Sequence, residues 1–386
     1  MPQRCYINAR FLTQSITGVQ RTATELVKAL DDLLEMTPGL ADQIQFTMLV
    51  PHNVKHDLKL RNMRVRVVGR LTGHAWEQFE LPWFCRKEVL INLGNVAPLV
   101  KRQQLVLICD ASPFAAPATY SLAFRSWYRV LYFALGASAR RILTISEFSK
   151  QELMKYAHIS PDKLRVVYLG HEHVTKLEPD YSIFEKLENR SKPFILAVSS
   201  MSPNKNFRSI VKATERINDR KFDVVVAGGT NSRIFREQDI RIPETMKYLG
   251  YVSDGQLRAL YENAMGFIYP STYEGFGLPP LEAMACGCPV IVSDIPPLKE
   301  VCGEAALYCN PDEPADIAQK MVQLSEDTVL RNDLVSKGNE RVKKYTWRNA
   351  ALGFLSQLSI LTGQVFLPDR ATEQYQNGQI TESKPT

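Results

Sequence analysis

The chain has 386 residues, of which 45% are hydrophobic and 23% are charged. It is too long for one ordinary core and too apolar for a disordered protein, so we expect two globular domains. The sequence contains no run of about 18 apolar residues and no signal-peptide core, which argues against a membrane span and against export. Seven cysteines without a repeated spacing argue against a disulfide framework and a zinc ribbon. We therefore expect a cytoplasmic protein.

The net charge of +6 is unevenly distributed. Residues 1–180 contain 23 Lys and Arg against 16 Asp and Glu, whereas the rest of the chain contains 24 against 25. This basic first half predicts an anionic partner, which is phosphate, nucleic acid or a membrane surface. Alternatively, the Lys and Arg side chains only keep the protein soluble.

The first half alternates short runs of β-branched residues with amphipathic segments, a pattern typical of βα units around a parallel sheet. The predicted strands are CYINA, IQFTMLV, VRVV, QLVLIC and RRILTI. A helix is predicted after the first strand, because Thr17 and Gln20 have the spacing of a capping box. Apolar residues then follow at helical spacing: Val19, Ala23, Leu26, Val27, Leu30 and Leu34.

The second half repeats this alternation after a polar, proline-bounded segment. We predict a linker at residues 179–193, between an N-terminal domain at residues 1–178 and a second domain at residues 194–346. The predicted strands of the second domain are FILAVSS, KFDVVVAGG, MKYLGY, GFIYP and CPVIVSD. Residues 368–386 contain few large apolar side chains and are predicted to be a disordered tail.

The stretch STYEGFGLPPLEAMACGCPVIVSD, residues 271–294, predicts a ligand site. It reads as a loop after a buried strand, followed by a short helix with Pro279 and Pro280 in its first turn and Gly287 as its stop. Open α/β sheets bind ligands in loops at the carboxyl ends of their strands, and a helix N-terminus suits phosphate.

Two carboxylates flank this helix start and are predicted to face one crevice. Glu274 lies in the loop, and Glu282 lies about one turn into the helix. Carboxylates beside an anion-binding helix end are best explained by contacts to hydroxyl groups, so the pattern predicts a sugar attached to a diphosphate. The alternative is that Glu282 complements the dipole of its own helix and Glu274 is a solvated acid.

Three stretches resemble the retaining glycosyltransferases of family 4: SSMSPNKNFRSIVKA, YLGYVSDGQLRALYENA and the long stretch that begins PSTYEGFGLPP. The similarity is dense over residues 195–350 and weaker in INARFLTQSITGVQRTATELVKAL and ILTISEFSKQELMKYAHISPDKLRVVYLG. It implies the GT-B fold, an α/β architecture in which two Rossmann-like domains face each other across a cleft. It also implies that residues 347–367 form a helix that crosses back to the N-terminal domain.

The resemblance implies a role for each matching residue. Glu274 matches the first glutamate of the family's E-x7-E region, expected near the donor sugar, and Glu282 matches the second, expected to bind the ribose hydroxyls. Lys205 matches the basic residue that meets the donor diphosphate, where it would stabilise the leaving group; the alternative is an ordinary surface lysine. Backbone contacts to the donor are expected from five further residues: Gly18, Gly275, Phe276, Gly277 and Leu278.

The sequence also departs from the family pattern. Ser200 and Asn204 stand where many members have basic residues, so Arg21 and Arg233 are candidate substitutes near the diphosphate. Where relatives often have His-Asp, this chain has Cys-Asp, and only Asp110 is assigned, as an acceptor-side catalytic residue. No Asp-x-Asp occurs, so we expect neither a metal nor another cofactor. Front-face substitution and a covalent carboxylate intermediate both remain open as mechanisms.

The acceptor side falls in the basic first half. The segment RSWYRVLYFALGASARR, residues 125–141, combines aromatic residues with flanking arginines. This combination is typical of a helix that lies on an anionic membrane. We therefore predict that the helix could rest on the membrane while the enzyme acts on a lipid-linked diphosphate sugar. The arginine-rich RNMRVRVVGR, residues 61–70, is a second basic candidate. The alternative is a helix packed in the core of the first domain.

The favoured function is a retaining glycosyltransferase that moves mannose from GDP-mannose onto a lipid-linked oligosaccharide or a polysaccharide such as O-antigen. We expect it in the cytoplasm or at the cytoplasmic face of the inner membrane, without a nucleic-acid partner. Glucosyl or rhamnosyl transfer from UDP or dTDP donors is an alternative. An epimerase, a phosphorylase or a non-catalytic sugar-nucleotide-binding protein also remains open, because a fold does not fix a function.

Overall fold

The computed structural model describes residues 1–187, 192–198, 202–218, 221–228, 243 and 246–366. The chain divides into two compact units, each built around one parallel sheet. The first unit contains Met1–Phe114, Leu122–Gly170 and the described residues from Tyr345 onward. The second contains Ala115–Ser121 and His171–Lys344.

The described part of the first unit contains a seven-stranded sheet. Its strands are β1 (Gln3–Asn8), β2 (Ile44–Val50), β3 (Arg64–Val67), β4 (Val89–Asn92), β5 (Gln104–Leu107), β6 (Arg141–Thr144) and β7 (Leu164–Val166). Their order is β3-β2-β1-β4-β5-β6-β7, and every neighbouring pair is parallel. The central strands β4 and β5 are buried along their whole length, as expected when both faces of a parallel sheet are covered.

The helices of the first unit begin with a long amphipathic helix after β1. They are α1 (Gly18–Met36), α2 (Leu40–Gln43), α3 (Gly73–Ala75), α4 (Leu81–Phe84), α5 (Ser112–Ala115), α6 (Leu122–Ser138) and α7 (Glu147–Ala157). A π-helical turn, Trp76–Glu80, joins α3 to α4. The predicted capping box of α1 is confirmed, since Gln20 Oε1 accepts a hydrogen bond from the backbone N–H of Thr17 at 3.2 Å.

The described part of the second unit contains a six-stranded sheet. Its strands are β8 (Phe194–Val198), β9 (Asp223–Ala227), β10 (Met246–Gly250), β11 (Gly266–Tyr269), β12 (Val290–Ser293) and β13 (Ala306–Cys309). All neighbours are parallel in the order β10-β9-β8-β11-β12-β13. The helices are α8 (Glu172–Thr175), α9 (Phe207–Glu215), α10 (Asp254–Asn263), α11 (Leu278–Ala285), α12 (Pro296–Cys302), α13 (Pro314–Glu326) and α14 (Thr328–Val342).

The last helix returns to the first unit. It is α15 (Trp347–Thr362), which packs against α1, and the side chain of its N-cap Thr346 accepts a hydrogen bond from the Asn349 backbone. The predicted crossover helix is therefore confirmed. Among the described residues, no helix combines the length and the apolar character needed to cross a bilayer.

The division of the chain differs from the predicted boundaries. The main segment of the second unit begins at His171. Within the predicted linker, Tyr181–Lys186 forms a 3-10 helix whose Ile183 is fully buried. The Asp180 backbone N–H also donates to the Gly255 carbonyl at 3.0 Å. Residues 179–187 thus pack as part of the second unit instead of linking two domains. The predicted tail, residues 368–386, lies outside the described residues.

Candidate active site

The candidate site lies where β11 ends in the second unit. β11 is fully buried, and the loop after it leads into α11, which has Gly277 as its N-cap residue and prolines in its first turn. The helix ends just before Gly287, whose φ is +72°. The prediction of a loop followed by a short, proline-started helix is confirmed.

Gly277 meets two requirements at the start of α11. Its φ of +107° is one that side-chain-bearing residues rarely adopt, and a Cβ at this position would lie 2.5 Å from Leu298 Cδ2. The N–H groups of Gly277 and Leu278 stand at the start of the helix, where an intrahelical acceptor is lacking. Gly275 and Phe276 precede them and are buried. The four residues predicted for backbone contacts from this stretch therefore form one continuous junction.

Lys205 and Glu274 are in direct contact. Lys205 Nζ lies 2.7 Å from Glu274 Oε1 and 2.5 Å from Tyr269 Oη. The two loops meet because Lys205 follows β8, Glu274 follows β11, and these strands are neighbours in the sheet. The Lys205 side chain keeps 22% of its surface exposed. An ammonium carries three N–H donors, and the described residues use two of them.

Burial and charge act in opposite directions on Lys205. Burial disfavours the ammonium and lowers its pKa, but Glu274 and Tyr269 together outweigh burial, so the pKa of Lys205 is raised. The pKa of Tyr269 is raised as well, first by burial and then by the Glu274 carboxylate. The cluster thus holds a charged lysine and a neutral tyrosine at neutral pH, and Glu274 supplies the anion that balances the lysine.

Two asparagines that the sequence analysis left without a role hold these loops together. The side chain of Asn204 donates to the Tyr273 carbonyl at 3.1 Å, and its own carbonyl accepts from the Thr272 backbone at 2.8 Å. The side chain of Asn206 donates to the Pro270 carbonyl at 3.0 Å. Asn206 also has a φ of +56°, which asparagine tolerates better than most residues. The position of Lys205 against Glu274 is therefore fixed by neighbouring side chains.

Glu282 is buried between two partners from other elements. Its Oε1 lies 2.8 Å from His173 Nε2, and its Oε2 accepts a hydrogen bond from the Tyr261 hydroxyl at 3.2 Å. Burial, and then Glu282, raise the pKa of Tyr261, which keeps this hydroxyl protonated. Neither partner was predicted, because they are 109 and 21 residues away in sequence. A carboxylate has about four acceptor positions, so these two partners leave room for a further hydrogen bond. The contact from Glu282 to ribose remains a prediction.

The other predicted residues lie apart from this cluster in the chain. Gly18 is the first residue of α1 in the first unit, and an added Cβ would meet no described atom within 4 Å. Asp110 follows β5 in the first unit, and its Oδ1 accepts from the Ser112 backbone at 2.8 Å, which stabilises its own turn. Arg233 lies outside the described residues. The roles predicted for all three stay predictions.

The described cluster can bind an anion and orient hydroxyl groups. Lys205 and the N–H groups at the start of α11 are the donors, and the two glutamates are acceptors. In the part of the chain that the structure describes, no group of three His, Cys, Asp or Glu side chains is arranged to hold a metal ion. Metal independence itself stays a prediction.

Comparison with known proteins supports the class that the fold and the motifs predict. Residues 180–341, which include Lys205, Glu274 and Glu282, match the family described as "Glycosyl transferases group 1". The sucrose-phosphate synthase of Thermosynechococcus elongatus matches with a TM-score of 0.72 over 94% of this chain and 100% of its own, at 19% identity. The protein is therefore a glycosyltransferase with the two-Rossmann-domain GT-B fold, as the motifs predicted.

Two bacterial relatives of the chain are named as mannosyltransferases. O-antigen chain mannosyltransferase RfbU of Salmonella typhimurium is 27% identical over 360 residues, covering 89% of this chain and 96% of its own length. O-antigen chain mannosyltransferase B of Escherichia coli is 29% identical over 234 residues, covering 58% of this chain and 61% of its own length.

Proposed function

We propose that the protein transfers mannose from GDP-mannose to a lipid-linked oligosaccharide or an O-antigen-type polysaccharide, with retention of the anomeric configuration. The observation that carries the proposal is the Lys205–Glu274 pair, which joins the segment after β8 to the loop that leads into α11. The names of the two bacterial relatives support mannose and the type of acceptor. We place the reaction at the cytoplasmic face of the inner membrane, where a nucleotide sugar and a lipid-linked acceptor can meet.

The proposed reaction breaks the bond between the anomeric carbon and the diphosphate oxygen, whose electron pair stays on the diphosphate. A new bond joins that carbon to an acceptor hydroxyl, whose proton goes to the departing diphosphate or to solvent. Lys205 and the N–H groups at the start of α11 stabilise the negative charge that grows on the diphosphate. Glu274 accepts a hydrogen bond from the sugar, and Glu282, held by His173 and Tyr261, accepts from the ribose.

Calorimetric binding of GDP, UDP, dTDP and ADP without added metal tests the donor site. We expect GDP to bind most tightly and Lys205→Ala to weaken it about 10- to 100-fold, the effect of one charged hydrogen bond. Lys212→Ala is the matched control, because Lys212 is an exposed lysine of α9 in the same unit. Absence of nucleotide binding by the folded protein would overturn the proposal. Tighter binding of UDP or dTDP would replace mannose by glucose or rhamnose.

The stereochemistry is tested separately with the product. Nuclear magnetic resonance of the product formed from GDP-α-mannose should show an α-mannosidic linkage. A β-linkage contradicts retention while leaving the donor site intact.

A further inference from the structure

Helix α6 exposes an apolar face. Its exposed positions carry no charged side chain, and the large ones among them include Leu122 at 75% exposure, Val130 at 59% and Phe133 at 43%. The complete exposed set is Leu122, Ala123, Phe124, Ser126, Trp127, Val130, Phe133 and Ala137. The opposite side of the helix packs into the first unit through Leu131 and Leu135. The helix thus packs in the core of the first unit, as the sequence alternative had it, through one side only.

A second pair of exposed aromatic residues lies on the helical segment that consists of α3, the π-helical turn and α4, residues 73–84. Phe79 and Trp83 are four residues apart and are 77% and 68% exposed. The segment adjoins α6, because the ring of His74 lies 6.0 Å from the ring of Trp127. The guanidinium of Arg86 lies 4.8 Å from the Trp83 ring, so a cation accompanies the exposed indole.

Two arginines border the apolar face without an anionic partner. Arg125, Arg129 and Phe133 follow one another at intervals of four and so lie in one row along α6. The Nε atoms of both arginines are buried, and neither has a hydrogen-bond partner in the part of the chain that the structure describes. The Arg129 guanidinium lies 5.3 Å from the Phe114 ring, and no ion pair involves either arginine within the described residues. Two positive charges without a paired carboxylate among the described residues therefore lie beside the apolar face, where they can attract an anion.

The charge of the surrounding sequence has one sign. No acidic residue occurs between Asp110 and Glu147, and this segment contains four arginines: Arg125, Arg129, Arg140 and Arg141. A protein partner of ordinary composition forms hydrogen bonds across its interface. The exposed face of α6 offers almost no polar side chain for such bonds. Apolar and aromatic side chains beside arginines instead match the boundary between lipid headgroups and acyl chains.

We propose that the exposed face of α6, together with Phe79 and Trp83, docks on an anionic lipid bilayer. The apolar side chains enter the interface between headgroups and acyl chains, and Arg125 and Arg129 bind lipid phosphates. This inference goes beyond the donor site, which lies in the other unit. It brings the first unit to the surface on which a lipid-linked acceptor resides.

Sedimentation with lipid vesicles tests the docking surface. The full-length protein should bind vesicles of phosphatidylcholine and phosphatidylglycerol, and bind phosphatidylcholine vesicles at least about tenfold more weakly. Phe79→Ser with Trp83→Ser should weaken binding about tenfold or more, as should Val130→Ser with Phe133→Ser. Tyr251→Ser with Val329→Ser is the matched control, because both residues are about as exposed but belong to the second unit.

The arginine pair has its own variant and control. Arg125→Gln with Arg129→Gln should weaken vesicle binding about 10- to 30-fold, since each surface arginine contributes about fivefold. Arg64→Gln with Arg66→Gln removes two exposed arginines of the edge strand β3 and should have a smaller effect. Equal effects of the two pairs would overturn the assignment to α6 and leave only general charge attraction.

Three further outcomes contradict the proposal. Absence of vesicle binding by a protein that binds GDP refutes the docking surface and leaves the donor site standing. Light scattering that shows a dimer for the wild type and a monomer for Val130→Ser with Phe133→Ser makes the face a contact between two copies. Equal binding to both kinds of vesicle, with Arg125→Gln and Arg129→Gln impairing only acceptor turnover, makes the arginines a site for the acceptor diphosphate.

Discussion

The charge of Lys205 depends on one neighbour, Glu274. In the intact protein the pKa of Lys205 is raised although burial lowers it, and Glu274 is the first of the groups that oppose burial. Glu274→Ala leaves burial as the main influence, so the pKa of Lys205 should fall. We expect this variant to lose transfer, to bind GDP at neutral pH, and to lose affinity progressively as the pH rises towards about 10.

Calorimetry at several pH values measures this effect relative to the wild type, which cancels the titration of guanine itself. Glu340→Ala is the control, because Glu340 forms a comparable pair with Lys343 on the exposed surface. A ratio of variant to wild-type affinity that stays constant with pH contradicts the coupling. Undiminished transfer by Glu274→Ala contradicts the role of Glu274 at the sugar.

The two roles of Glu282, binding ribose and holding its neighbours, can be separated by mutation. Tyr261→Phe removes the hydroxyl that donates to Glu282 but keeps the ring against Phe267 at 5.3 Å. We expect it to lower the free energy of unfolding by about 1.5–3 kcal/mol and to leave GDP affinity nearly unchanged. Glu282→Ala should in addition weaken GDP binding by about 1–3 kcal/mol. Denaturant titration and calorimetry on both variants check this, and equal GDP affinities would make Glu282 a structural residue.

At the scale of elements, ten of the thirteen strands in the described part of the chain lie in segments that the sequence predicts as strands. The strands that the sequence analysis missed are β4, β7 and β13, which are only three or four residues long. β4 is buried between β1 and β5, so its conformation comes from its neighbours more than from a local pattern. The alternation of strands and helices therefore predicted the α/β class, whereas short strands held by their neighbours escaped it.

In the candidate site, too, local features were predicted and contacts between distant residues were not. The loop, the proline-started helix and the positions of Lys205 and Glu274 were predicted, because they lie in one local motif or match a family motif. Tyr269, His173 and Tyr261 were not, because each is brought to the site by a different element across 21 to 109 residues of chain. Their sequence surroundings carry no signal that distinguishes them from core aromatics.

The start of α11 depends on a glycine whose role can be isolated. Gly277→Ala combines a φ of +107° with a Cβ 2.5 Å from Leu298 Cδ2, so we expect it to lower the free energy of unfolding by at least about 1–2 kcal/mol. Gly18→Ala at the start of α1 meets neither obstacle and should leave stability within about 0.5 kcal/mol. Guanidinium titration of both variants measures the difference, and equal stabilities would contradict the strain at Gly277.

Gly18→Ala also tests the predicted donor contact. If its backbone approaches the diphosphate, an added methyl group weakens GDP binding while stability stays the same. Unchanged GDP affinity means that the glycine has no such contact.

At the scale of the whole molecule, the seven cysteines are distributed over both units, so the labelling of their thiols can measure the unfolding of each unit. Burial raises the pKa of Cys85 to about 11 and of Cys5, Cys302 and Cys309 to about 12. A thiol with a pKa of about 11 is ionised in about one molecule in a thousand at pH 8, and the thiolate is the reactive form. Native protein should therefore react slowly with thiol reagents, and all seven thiols should react once it is unfolded.

Slow labelling then measures the opening of each unit, because Cys5 and Cys85 lie in the first unit and Cys302 and Cys309 in the second. GDP at about a hundred times its dissociation constant should slow labelling of the second-unit thiols about a hundredfold, because it binds the folded unit and not the unfolded one. Mass spectrometry of labelled peptides assigns each rate. Equal rates with and without GDP would contradict a donor site in the second unit. Protection of Cys5 as well would show that GDP also stabilises the first unit, which is the result that a contact at Gly18 requires.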